Sequence, residues 1–164
     1  MNTPLADRIR PCKIEDVVGQ SHLIGEGKVL STLIKKGDIP NLIFYGPSGI
    51  GKTTVANIIA SNSNKKLYKL NATTCSVSDV KEIINEVDSI MTYDGAILYL
   101  DEIQNFNKRQ QQSLLDVIEK GKITLIASTT ENPYFEVNKA LVSRSIVFEL
   151  RQLEDKDIRQ LLQR

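Results

Sequence analysis

Tryptophan is absent from this 164-residue chain, and Phe, Tyr and Trp together make up only 5% of it. So thin an aromatic complement argues against base-stacking platforms of the kind that grip single-stranded nucleic acid. Histidine occurs once, at His22, outside any H-E-x-x-H spacing, which argues against a histidine metal site or a Ser-His-Asp triad. The two cysteines, Cys12 and Cys75, belong to no C-x-x-C pair. Two reduced thiols are therefore expected, not a thiolate metal site or a redox motif. No apolar run approaches the ~18 residues needed to span a bilayer. The stretch Met1 to Arg8 lacks the apolar core of a signal peptide. A soluble, cytoplasmic protein without a membrane partner is the expectation. Lys and Arg number 21 against 20 Asp and Glu, for a net charge of +1. The chain as a whole has no basic footprint for nucleic acid, although a local patch stays open. There is no internal repeat and no low-complexity tract.

What is present is an ordinary globular composition, 41% hydrophobic and 25% charged, in a length that suits one domain with a proper core. The chain alternates. A helix is expected over 28–36, stopped by Gly37 and Pro40. A strand follows at 42–45, then a glycine loop, then a helix from about Thr53 to Ser61. A strand is read at 66–70. An amphipathic helix at 77–91 carries Val80, Ile83, Ile84, Val87 and Ile90 or Met91 on one stripe, with Ser78 as a candidate cap. A strand at 96–100 precedes a helix at 108–119 closed by Gly121. Strands at 123–127 and 146–150 flank a short helix at 139–142, and a last helix begins at Glu154. Short apolar strands alternating with helices predict an α/β fold, a parallel sheet covered by helices on both faces. The ending at Arg164 reads as the beginning of a further unit.

The glycine loop carries the strongest signal. Residues 46–53, Gly-Pro-Ser-Gly-Ile-Gly-Lys-Thr, fit G-x-x-x-x-G-K-[ST], which an average chain of this length matches by chance on the order of 1% of the time. The loop follows an apolar strand and opens a helix, as phosphate binding requires. Several backbone N–H groups must converge on the phosphates, and glycine supplies the backbone freedom for that. The helix start adds its positive dipole end. Lys52 can reach the β- and γ-phosphates, and the Thr53 hydroxyl can hold Mg²⁺. Asp101 and Glu102 end the apolar strand Ile97 to Leu100, at the sheet edge where α/β folds bind ligands. Alone they would be an ordinary loop start. Beside a phosphate loop, Asp101 can hold Mg²⁺ through water, and Glu102 can polarise a water for in-line attack on the γ-phosphate. The strand 124–127 ends in Ser128, Thr129 and Thr130, where a hydroxyl can orient that water. Asn107-Lys108 suggests the N-K-x-D guanine motif, but no Asp follows at 110 and its place after the acidic pair is wrong, so adenine is favoured.

Glycine loop, Asp-Glu strand and polar strand end, in this order, resemble the AAA+ ATPase core. Longer stretches narrow the resemblance. "PLADRIRPCKIEDVVGQSHLIGEGKVL" is similar to the opening of the clamp-loader branch, and "DEIQNFNKRQQQSLLDVIEKGKITLIASTTENPYFEVNKALVSRSIVFEL" resembles the replication-associated recombination protein A family. The resemblance implies a P-loop NTPase with a parallel five-stranded sheet, ATP and Mg²⁺ as ligands, and ATP hydrolysis in replication-fork maintenance and recombination. A Holliday-junction branch-migration motor, a clamp-loader subunit or a nucleotide-gated interaction module with little turnover are the alternatives. The positions Gly46, Pro47, Ser48, Gly49, Ile50, Gly51, Lys52 and Thr53, with Thr54 beside them, match the Walker A motif. Asp101 and Glu102 match the metal carboxylate and catalytic base. Thr129 matches the sensor position, or Thr130 with a shift of one. Asn71 matches a polar residue that restrains the base in related ATPases. Arg144 matches an arginine finger acting on a neighbouring subunit, and Pro11, Val17 and Val18 fall at the adenine pocket.

Residues 1–24 would then be an N-terminal segment contributing to the adenine pocket, 25–150 the ATPase core and 151–164 the start of a helical lid. Family relatives continue into a lid and an oligomerisation region, so the chain is expected to be a fragment, weakly active alone. DNA forks and single-strand/double-strand junctions, subunits of a homo-oligomer and single-strand DNA-binding protein are the implied partners, in a bacterial, nucleoid-associated setting. The chain departs from the family's D-E-V-H-R-F-N-K at Gln104 and Asn105, which stand where members carry His-Arg.

Overall fold

The computed structural model describes residues 11–89, 95–120 and 123–163. Five strands, β1 (Asn41–Tyr45), β2 (Lys66–Asn71), β3 (Ala96–Asp101), β4 (Ile123–Thr129) and β5 (Ser145–Glu149), form one sheet. Its order is β2-β3-β4-β1-β5, and every pairing is parallel. The helices are α1 (Ser21–Ile24), α2 (Val29–Lys36), α3 (Lys52–Ser61), α4 (Val77–Ser89), α5 (Lys108–Lys120), α6 (Pro133–Glu136), α7 (Lys139–Ser143) and α8 (Asp155–Leu162).

Two cores lie on the two faces, because successive strand side chains point opposite ways. Ile43, Leu98, Leu100, Leu125 and Ala127 face α4 and α5, meeting Val80, Ile84, Leu114 and Ile118. Leu42, Phe44, Ile97, Tyr99 and Ile126 face α2 and α3, meeting Leu30, Ile34, Val55 and Ile59. Both faces of the three central strands are thus apolar, which explains their near-continuous hydrophobic runs.

The expected elements are present with shifted ends. Strand β4 runs two residues past Ala127, so Ser128 and Thr129 lie in the sheet, each 0% exposed. Ser78 does not cap α4; it lies inside the helix. Ser76 precedes it, and its N–H and Oγ both donate to Asp79 Oδ2 at 2.7 and 3.3 Å. Helix α2 ends as expected at Gly37, whose φ of 73° is left-handed and whose N–H returns to Leu33 and Ile34. Gly121 as the close of α5, Ile90 and Met91 on the α4 stripe, and the first ten residues lie outside the described residues. Among the described residues no helix is long and apolar enough to cross a membrane.

Gln20, 1% exposed, ties the N-terminal segment to the far end of the chain. Its amide donates to the Arg151 carbonyl at 2.9 Å and accepts from the Arg151 N–H at 3.0 Å. His22 Nε2 adds a bond to the Glu149 carbonyl at 2.7 Å. Residues 11–24 are thereby held against the carboxyl edge of β1 and β5, beside the glycine loop.

Candidate active site

The loop between β1 and α3 is shaped by three glycines with positive φ: Gly46 (152°), Gly49 (77°) and Gly51 (105°). They serve different ends. A Cβ on Gly46 would stand 2.3 Å from the Leu150 carbonyl oxygen, so this glycine lets the loop pack against the end of β5. Over Gly49 and Gly51 a Cβ would meet nothing within 4 Å. Their left-handed backbone is what favours glycine there, and both glycines border the cavity described below.

Lys52 opens α3 and is 7% exposed. Its Nζ donates to the carbonyls of Gly46 at 2.6 Å and Thr129 at 3.4 Å. Among the described residues it makes no ion pair. Burial lowers its pKa below the ordinary lysine value, and the charges of Glu102 and Asp101 oppose that shift only in part. A buried cation without a paired anion is costly. This one stands at the mouth of the cradle.

The second half of the site comes from β3 and β4. Asp101 ends β3, and its Oδ1 accepts from Ser128 Oγ and from the Glu102 N–H. Tyr99, two residues earlier and 2% exposed, places its hydroxyl 3.3 Å from Thr53 Oγ1. Burial raises the Tyr99 phenol above its ordinary pKa, while hydrogen bonds with Ser128 and Thr53 pull the other way. Thr53 and Asp101, the two positions expected to hold Mg²⁺, are thus linked through Tyr99 and Ser128. Among the described residues no group of three His, Cys, Asp or Glu forms a metal cage.

Glu102 is the one non-glycine residue with positive φ among the described residues (φ 58°, ψ 46°). Such a conformation is uncommon for a glutamate and marks a constrained turn. Its carboxylate accepts from Gln104 Nε2. Asn71, aligned with Asp101 across the sheet, spends its side-chain oxygen on the Thr73 N–H at 2.8 Å. Among the described residues it is the Gln104 side chain that hydrogen-bonds the Glu102 carboxylate. Thr129 Oγ1 accepts from the Glu131 N–H at 3.0 Å, and its carbonyl accepts from the Gly46 N–H at 3.2 Å as well as from Lys52.

These parts border a cavity of about 520 Å³ lined by Pro11, Val17, Val18, residues 48–54, Asp101, Glu102, Leu153 and Leu161. The structure brings together residues 48–54, the acidic pair, and Pro11, Val17 and Val18, which were expected at an adenine pocket. Gly46, Pro47, Asn71, Thr129 and Arg144 lie outside the lining. Leu153 and Leu161, from α8 and the segment before it, were not anticipated. Arg144 caps α7 and pairs with Glu119 of α5, both half exposed.

A parallel sheet of order β2-β3-β4-β1-β5, with a glycine loop entering a helix after β1 and an acidic pair ending β3, defines a P-loop nucleoside-triphosphatase fold. The chain belongs to the ATPase family associated with various cellular activities (AAA), whose pattern matches residues 42–152. It is 45% identical, over 98% of its length, to replication-associated recombination protein A of Haemophilus influenzae, spanning 36% of that protein. It is 41% identical over 98% of its length to ATPase WRNIP1 of Dictyostelium discoideum, spanning 18% of it. Among solved structures, the Thermotoga maritima RuvB Holliday junction branch migration motor matches with a TM-score of 0.77 at 25% identity, over 94% of this chain and 53% of that one.

Proposed function

We propose that the chain is the ATP-binding and ATP-hydrolysing core of an AAA+ enzyme acting in replication-fork maintenance and recombination. What supports this reading most is the buried Lys52, without an ion pair among the described residues, in a glycine loop beside Asp101 and Glu102. ATP would sit with its phosphates against residues 46–54 and its adenine toward Pro11, Val17 and Val18. Thr53 and Asp101 would hold Mg²⁺, which would supply positive charge against that of the phosphates. Glu102 takes the proton of the attacking water, and Thr129 orders the strand end beside it. Asn71 flanks the base from β2. Arg144 serves the pocket of a neighbouring subunit. Leu153 and Leu161 in the cavity wall support reading 151–164 as the start of a lid over the nucleotide.

The similarity to replication-associated recombination protein A, along nearly the whole chain, supports work on DNA. Forks and single-strand/double-strand junctions are the proposed substrates, in a homo-oligomer of the bacterial cytoplasm, at the nucleoid and with single-strand DNA-binding protein nearby. A second reading, a Holliday-junction motor, is favoured by the RuvB likeness, at lower identity. ATP turnover by the full-length protein with forked DNA, single-stranded DNA, a four-way junction or none separates the two. Stimulation by forks supports the first reading, and stimulation by the four-way junction alone supports the second. Absence of ATP turnover in all four would overturn both.

A further inference from the structure

We infer that Gln104 is a positioning residue for hydrolysis: its amide sets the rotamer of the Glu102 carboxylate and links that carboxylate to Thr130 at the end of β4. The inference rests on the hydrolase reading above and assigns a role to a side chain outside the matched motifs. Gln104 Nε2 donates to Glu102 Oε2 and lies 3.4 Å from Thr130 Oγ1. One amide therefore touches both strand ends between which an attacking water must be held.

Which way the amide faces follows from chemistry. Turned over, it would set its oxygen against a carboxylate, acceptor against acceptor, so the donor must point at Glu102. That orientation leaves Gln104 Oε1 buried and without a hydrogen-bond partner. A buried unpartnered amide oxygen is costly. The bonds to Glu102 and Thr130 hold the side chain there in spite of it.

The backbone beneath is equally constrained. Residues Ile103–Asn105 form one 3₁₀ turn, closed by Asn105 N to Glu102 O at 2.9 Å and Phe106 N to Ile103 O at 3.0 Å. Ile103 (0% exposed) and Phe106 (2%) anchor it in the core. Asn105 Nδ2 donates to Thr73 Oγ1 at 3.0 Å, tying the turn to the loop after β2. A carboxylate on a left-handed residue has few supports of its own. Here a rigid turn presents an amide to it, as an accurate reacting group requires. The remaining lone pairs of the carboxylate stay available to a water.

The test measures steady-state ATP hydrolysis and ATP affinity of the full-length protein in the wild type, Gln104→Leu and Gln104→Asn. Leucine keeps the bulk without the donor; asparagine keeps the donor but is one methylene too short to span both partners. The expected result is a fall in kcat of about tenfold in each, the scale of one lost bond to a charged acceptor, with ATP affinity and melting temperature unchanged. A residue that only supported the fold would lower melting temperature or ATP affinity along with kcat, so a fall confined to kcat is the mark of a positioning role. Unchanged kcat in a folded Gln104→Asn, or an increase in either variant, overturns the inference while leaving the hydrolase reading intact. A wild type that binds ATP but never turns it over removes the hydrolase reading, and this one with it.

Discussion

Lys52 and Arg144 are the two cations on which the proposed chemistry turns, and the fold treats them in opposite ways. Lys52 is 7% exposed, donates to backbone carbonyls, and makes no ion pair among the described residues. Arg144 is half exposed at the end of α7 and already shares its charge with Glu119. A buried charge that its neighbours compensate only in part is expensive and is relieved when an anion arrives. An exposed ion pair is worth at most about 1 kcal/mol and is easily exchanged for another. One cation is built into a pocket that awaits phosphate. The other lies at the surface, lightly held, as its proposed role toward a neighbouring subunit requires.

The comparison breaks first at Lys52. Lys52→Ala is expected to abolish or greatly weaken ATP binding, and turnover with it, because the charge around which the cradle is built disappears. Titration calorimetry that returned wild-type affinity would remove Lys52 from its role. Arg144→Ala should leave ATP affinity intact, shift stability by no more than about 1 kcal/mol, and lower turnover of the assembled protein by ~10³-fold or more. Equal losses in affinity and turnover would place Arg144 in its own subunit's pocket instead. Glu102→Gln should cost ~10²-fold or more in turnover. Its amide keeps the shape but accepts no proton, so ATP binds and persists on the protein.

The smallest effect sharpens the Lys52 side. Burial lowers the Lys52 pKa in the free protein, and a bound triphosphate raises it again. Between those two values, binding takes up a fraction of a proton, and affinity falls as pH rises through the lower one. Calorimetry at alkaline pH in two buffers of different ionisation heat measures this uptake. Proton release would mean that the phosphates do not face Lys52.

Much of this was legible in the chain itself, and for identifiable reasons. The strands could be read because β1, β3 and β4 are buried on both faces and so are apolar throughout. The cradle could be read because Gly49 and Gly51 adopt angles that other residues avoid. What escaped were contacts between residues far apart in sequence or set in short turns. Gln20 meets Arg151 across 131 positions, and no local pattern encodes that. Leu153 and Leu161 look like any apolar stripe until α8 is laid beside the cavity. Helices α1 and α6, with four residues each, are too short to show a period. Gln104 stood out only as a departure from a motif, because its partners Glu102 and Thr130 converge through the pairing of β3 with β4. Ser76, not Ser78, leads α4 because the Asp79 carboxylate is already engaged with it.

The central claim is that Lys52 serves its own subunit's pocket and Arg144 the next one's. Mixing two inactive full-length variants, Lys52→Ala and Arg144→Ala, and measuring ATP turnover against their ratio tests it most directly. Mixed interfaces would join an intact pocket on one subunit to an intact arginine on the other. Turnover should be absent from either variant alone and reach a maximum at an intermediate ratio. No recovery at any ratio, with subunit exchange verified by mass spectrometry of the mixed assembly, would contradict it.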